Sequence, residues 1–226
     1  MTTRYRWIKA EWPISIRNLA ERLKFHVFSE SVSEGFVVDR AREDFLQARF
    51  IEKINIVEKI VDPFGNDLLF ERTEYKQTTF RAWNDWPGLE LTNASRSVQN
   101  LLSQLTEIND FKVVFAPLKI DVVKWADTFQ SKIETTAIVD SIQIGSLLLE
   151  EGVTAKVVIR SDTDVRNAYL KLTQDRKFSL QKIQLLIKGS HSSHVVLSND
   201  GTARIDTSGS DENLVIALRA SIQNVI

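Results

Sequence analysis

The chain has no cysteine among its 226 residues. Disulfides, thiolate metal ligands and a cysteine nucleophile are therefore excluded, and a reducing, cytoplasmic setting is expected. Glycine is scarce and unclustered, at eight residues. No G-x-G-x-x-G, Walker A or G-x-S-x-G pattern occurs, so nothing supports a nucleotide cradled by a glycine-rich loop. The three histidines form no H-E-x-x-H motif. No apolar run approaches the ~20 residues that cross a bilayer. The opening MTTRYRWIKAEW is not followed by an apolar segment, so neither a membrane anchor nor a signal peptide is expected. The net charge of -1 provides no overall attraction to nucleic acid or membrane.

Against these absences stand 43% hydrophobic and 26% charged residues, which is enough apolar material for a core and argues against disorder. The length suits one large or two small domains. A polar run at Asp127–Thr136 divides the chain into 1–128 and 129–226, or lies within one continuous domain as a helix.

Hydrophobic periodicity predicts the elements. Tyr5–Lys9 reads as a strand. Ile16, Leu19, Leu23 and Val27 make a helical stripe, with Pro13 in the first turn. Residues 31–35 read as a loop and Phe36–Asp39 opens a sheet. Ala48–Val61 and Leu68–Trp83 are long strand-like runs around Asp62-Pro63-Phe64-Gly65-Asn66-Asp67, the clearest hairpin in the chain. Trp86-Pro87-Gly88 is a further turn. Asn93 or Ser95 is placed to cap a helix carrying Val98, Leu101, Leu102, Leu105 and Ile108. Lys112–Val122 reads as a strand broken by Pro117.

In the second half, Ala137–Ile144 and Thr154–Arg160 read as strands. Asp162 or Asp164 would cap a helix bearing Val165, Ala168, Tyr169 and Leu172. Phe178–Ile187 and His194–Leu197 are strands, and Asn199-Asp200-Gly201 turns the chain into Thr202–Asp206. Ser208 and Asp211 would cap a last helix with Leu214, Ala217, Leu218, Ile222 and Val225 on one face. The class expected is α+β, with two helix-covered, largely antiparallel sheet units. Both halves read helix, three strands, helix, which suggests a pseudo-repeat.

Several constellations could carry function. Asp62, Glu74 and Lys76 resemble the carboxylates and lysine of a PD-(D/E)xK nuclease, with Glu74 and Lys76 on one side of a strand and Asp62 across the hairpin turn, holding Mg²⁺ for phosphodiester hydrolysis. In this chain Asp62 precedes Pro63 instead of following a proline, and Asp67 competes for the metal role. His191 and His194 form the one close histidine pair, a polar turn before a metal site. Trp83 and Trp86, flanked by Arg81 and Arg96, form an aromatic turn suited to a protein partner. Asn93 to Ser97 reads as a helix cap before an anion site. Basic residues concentrate in the first thirty positions and again at Lys156, Arg160, Arg166, Lys171, Arg176 and Lys177. If these share a face, they could bind nucleic acid despite the neutral total.

The leading expectation is a non-catalytic binding or assembly subunit of an intracellular complex, with a protein partner or a second copy, without cofactor, metal or membrane. The alternatives are the nuclease and a direct nucleic-acid binder. An antiviral or DNA-maintenance complex is a setting suggested by general priors that no residue carries.

Overall fold

The computed structural model describes residues 2–85, 87–95, 97–188, 192–207 and 212–225. The chain is mixed α/β, strand-rich, with antiparallel sheet and five helices among the described residues. It forms two compact units, Lys9–Phe115 and the pair of segments Met1–Ile8 and Ala116–Ile226, with strand β1 (Thr2–Glu11) contributing to both. No helix among the described residues is long and apolar enough to cross a membrane.

The unit Lys9–Phe115 carries β2 (Glu34–Ala41), β3 (Phe45–Val61), β4 (Asp67–Trp83) and β5 (Gly88–Thr92), in the order β2-β3-β4-β5 with antiparallel pairings. Helix α1 (Ile16–Leu23) packs on β2 and β3, burying Ile16, Leu19, Ala20 and Leu23. It starts at Ser15, whose hydroxyl accepts from the Asn18 N–H at 3.3 Å, so Pro13 lies ahead of the helix instead of inside its first turn. The expected stripe also ends early. A 3-10 turn at Lys24–His26 closes the helix and leaves Val27 exposed.

Helix α2 (Gln99–Ile108) buries Leu101, Leu105 and Ile108. Neither Asn93 nor Ser95 caps it. Asn93 sits at φ 50°, whereas a capping residue is extended, and the Ser95 hydroxyl donates to the Ser97 carbonyl at 2.5 Å.

In the other unit the order is β1-β11-β10-β9-β7-β8, all antiparallel, formed by β7 (Thr136–Glu150), β8 (Val153–Arg160), β9 (Phe178–Lys188), β10 (Ser193–Ser198) and β11 (Thr202–Asp206). The stretch expected as one broken strand holds only the short β6 (Val114–Ala116), and Val122 instead starts helix α3 (Val122–Gln130). The Asp121 carboxylate caps α3, accepting from the Val123 and Lys124 N–H groups at 3.0 and 3.2 Å. Val122, Trp125, Ala126 and Phe129, at helical spacing, are buried beneath it.

Helix α4 (Arg166–Thr173) turns Tyr169 and Thr173 inward, while Ala168 faces solvent. No side chain caps its N-cap residue, Val165. Asp164 instead accepts from the Arg166 N–H at 3.0 Å. Helix α5 (Glu212–Ile222) buries Val215, Ala217, Leu218, Ser221 and Ile222. The proposed Ser208 and Asp211 caps lie outside the described residues. A repeat of helix, three strands, helix is not shown. The first unit places four strands between α1 and α2, and the second adds α3 and the β7–β8 pair ahead of α4.

The second unit's core is built on Trp7 and Trp125, whose rings meet edge-on at 5.8 Å, both essentially fully buried. The Trp125 indole N–H donates to the Ser221 hydroxyl at 2.9 Å, and that hydroxyl donates to the Leu218 carbonyl at 2.8 Å. The indole donor is thereby satisfied in a dry interior. The turn at Gly201 (φ 75°) closes against the same region. Its carbonyl accepts from the Trp7 N–H at 2.8 Å, and a Cβ there would meet Leu118 at 2.9 Å. Ser221→Ala leaves the Trp125 indole N–H without an acceptor and should cost about 1–3 kcal/mol. A lowered denaturant midpoint with an unchanged m-value is the expected readout.

Candidate functional site

The feature that stands out is the far half of the β3–β4 hairpin. The two strands pair without a bulge from Phe45↔Trp83 to Val61↔Asp67. Beta2 accompanies β3 only as far as Glu34↔Glu52, and β5 accompanies β4 only from Thr79↔Thr92 toward Ala82↔Leu89. From Lys53↔Tyr75 outward the hairpin is a two-stranded arm of nine residue pairs, about 30 Å long at the usual strand rise.

Strand alternation explains what the arm displays. Leu46, Ala48 and Phe50 on β3 and Ala82, Phe80 and Thr78 on β4 share one face, and all are buried. The unbroken period continues that face outward through Ile54, Ile56, Ile60, Leu68 and Phe70, where no third layer lies against it among the described residues. The opposite face adds Val57, Leu69 and, at the root, Tyr75, whose ring meets Phe28 edge-on at 6.0 Å. Phe64 at the tip is 89% exposed. Of the twenty large apolar side chains exposed among the described residues, nine lie between Ile54 and Tyr75.

A polar cluster marks the root, where the core ends. Glu34 and Glu52 are directly cross-strand, a placement that repels. The Asn100 amide on α2 bridges them, donating to Glu34 at 2.5 Å and to Glu52 at 3.1 Å. Gln104 donates to Glu34 at 2.8 Å, and Lys76 pairs with Glu52 at 2.9 Å.

The root and arm also settle where the nuclease-like residues stand. Lys76 is held by Glu52. Glu74 faces Ile54 in register and pairs with Arg72 at 3.1 Å. Asp62 sits in the tip turn, beyond Val61, eight strand positions from Glu74, or about 26 Å along the ribbon. Glu74 and Lys76 share a face as expected, but Asp62 does not join them. No cluster of three or more carboxylates or histidines suited to a metal occurs among the described residues.

Asp62 instead organises the turn. One carboxylate oxygen accepts from the N–H groups of Phe64 and Asn66, both at 2.8 Å, and the other from the Asn66 side-chain amide at 3.0 Å. The Asn66 amide bond first, then the backbone N–H groups of Asn66 and Phe64, hold its pKa below the ordinary aspartate value.

The aromatic turn is partly visible. Trp83 ends β4 half-buried, opposite Phe45. Arg81 is tied into the sheet, donating to Gln47 at 3.1 Å, lying 3.8 Å from the buried Glu90 and stacked over Phe45. Trp86, Arg96 and His191 lie outside the described residues. His194 is on β10, within 3.8 Å of Asp140.

The basic positions of the second half separate. Lys156 and Arg160 project from one side of β8, exposed. Arg166 is committed to Asp164 at 2.6 Å and Asp127 at 2.8 Å, and the Asp164 bond leads the influences that raise its pKa. Arg176 donates to the Leu172 carbonyl at 3.2 Å. Lys171 lies on α4 and Lys177 just ahead of β9, both exposed. Sequence reading missed Asn100 and Gln104 as root residues, because their partners lie 48 to 70 positions away.

No protein-family model and no curated protein matches this chain.

Two outcomes follow from the root and the tip. Lys76→Ala leaves Glu34 and Glu52 facing each other with one compensating group fewer and should cost about 1 kcal/mol, discounted for partial exposure. Adding Glu52→Gln should restore most of that loss in chemical denaturation. Because the folded Asp62 pKa is depressed, its hold on the turn is present above the ordinary aspartate range and is lost as pH falls through the lowered value. Amide exchange at Phe64 and Asn66 should therefore accelerate, beyond its intrinsic pH trend, at acid pH in the native chain. In Asp62→Ala it should already be fast at neutral pH.

Proposed function

We propose that this chain is a non-catalytic assembly subunit that docks through the β3–β4 arm into a second protein. The observation that supports this most directly is the run of exposed apolar side chains from Ile54 to Phe70 on an arm that no third layer covers among the described residues. An isolated two-stranded ribbon is marginally stable in water, and exposed apolar patches on this scale mark interaction sites.

Charge supports one kind of partner over another. Between Lys53 and Tyr75 stand Glu58, Asp62, Asp67, Glu71 and Glu74 against Lys53, Lys59 and Arg72. Lys59 is paired with Asp67 at 2.6 Å and Arg72 with Glu58 at 2.9 Å, so the surplus is acidic. An acidic, apolar ribbon fits a protein groove that is apolar at its floor and basic at its rim, and it repels nucleic acid. The absence of cysteine suits a reducing compartment for such a complex.

The test is capture of the tagged chain from its host with nuclease treatment, beside the variant Phe64→Ser/Leu69→Ser/Phe70→Ser. The expected result is a stoichiometric, nuclease-resistant protein partner on the native chain that is absent from the variant, with both chains unfolding at the same temperature. Recovery of the chain alone, or a partner that stays on the variant, overturns the proposal. A dimer of the purified chain that the variant abolishes would instead make a second copy the occupant and overturn the choice of a different protein.

A further inference from the structure

The unit formed by Met1–Ile8 and Ala116–Ile226 has a sheet with two very different faces. One face is dry. The cross-strand row Tyr5, Ala203, Leu197, Ile183 and Ile142 is buried throughout, on the side that α3 packs. The other face is the more exposed one, with Ser198 buried on it, and two of its rows can be followed across six strands. The first runs Arg4, Arg204, Val196, Gln184, Ser141, Arg160. The second runs Arg6, Thr202, Ser198, Lys182, Gln143, Val158.

These two rows contain five cations and no carboxylate, in a chain whose net charge is -1. Lys156 lies one same-side position further along β8. The acids Asp206 and Asp140 border the rows on one side, and Asp200, which accepts from the Thr202 N–H at 3.2 Å, borders them on the other. Asp206 pairs with Arg204 at 2.8 Å, and Asp140 accepts from Gln184 at 3.0 Å. Lys156, Arg160 and Lys182 are exposed and make no ion pair among the described residues.

From this geometry we infer that the more exposed face binds the phosphate backbone of duplex nucleic acid. Six strands measure about 24 Å across, wider than the ~12 Å major groove, so cations at the β1–β11 end and at Arg160 can meet phosphates on both sides of a groove. Neither row holds an aromatic residue on which an unpaired base could stack, which favours a duplex over a single strand. Of the polar uncharged positions between the cations, Gln184 donates to Asp140 at 3.0 Å and Gln143 to Gln181 at 2.7 Å, which leaves the contacts to the cations and makes binding independent of sequence. This inference is separate from the arm reading, because its residues lie in the other unit. Loss of duplex binding with partner capture intact would fail this inference alone.

The test is fluorescence anisotropy with the full chain and a labelled mixed-sequence DNA duplex of about 20 base pairs, longer than the row at ~3.4 Å per step. With a net of about four phosphate contacts, affinity should fall about a hundredfold between roughly 50 and 200 mM salt. Arg160→Glu/Lys182→Glu should weaken binding about tenfold or more at low salt. The charge-preserving Arg160→Lys/Lys182→Arg should bind like the native chain, which separates loss of charge from loss of fold. No binding, tighter binding to a single strand, binding to anionic vesicles in place of the duplex, or a charge-reversed variant that binds normally would each overturn the inference.

Discussion

Everything distinctive about the unit Lys9–Phe115 follows from one constraint, the uninterrupted two-residue period shared by β3 and β4. Without a bulge to change parity, the face that buries Leu46, Ala48 and Phe50 must continue through Ile54, Ile56 and Ile60. The layers that cover that face end before the strands do. The same alternation that builds the core therefore exports an apolar stripe beyond it. The polar cluster of Glu34, Glu52, Lys76, Asn100 and Gln104 stands at the changeover, where a fully apolar core would otherwise meet water.

The other unit handles its strands differently. Beta7 breaks register with β9 between Val139 and Ser141, between Gln143 and Ile144 and between Ile144 and Ser146. Such irregularities bend and twist a strand, and here the chain forms a broad sheet with one buried and one solvated face instead of a ribbon. The buried face centres on Trp7 and Trp125, and the solvated face gathers arginine and lysine from β1, β8, β9 and β11. The two units thus present opposite chemistries: one an apolar, acidic ribbon, the other a polar, basic plane.

Much of the secondary structure was legible because it is local. The hairpin at Asp62–Asp67 carried its turn chemistry beside strand-like composition, and Thr202–Asp206 followed from Asn199-Asp200-Gly201. Helix α3 was misread because Val113, Val114 and Phe115 look strand-like and run toward Val122. The Asp121 cap, with Val122, Trp125, Ala126 and Phe129 at helical spacing, was the signal that should have outweighed them. The nuclease-like trio failed for a physical reason that composition hides. Proximity across a turn lasts only for the first few pairs, and Glu74 lies far down the ribbon from Asp62. The basic face was half visible, as charge density in two stretches. Which cations share it depends on strand register, and register brought in Arg204 and left Arg166 tied to Asp164 and Asp127.

If the arm is built for a partner, it adds little to the core that supports it. The Lys53 N–H donates toward Ser33 on β2's side at 2.6 Å, so Ile54 and Glu74 turn their backbone groups toward each other and form a pair that a two-residue turn can close. The decisive measurement is the thermal unfolding of a chain in which residues 55–73 are replaced by Asn-Gly. One cooperative transition is expected at a temperature within a few degrees of the native chain, roughly the shift caused by ~1 kcal/mol. A large loss of stability, or failure to fold, would show instead that the arm belongs to the core.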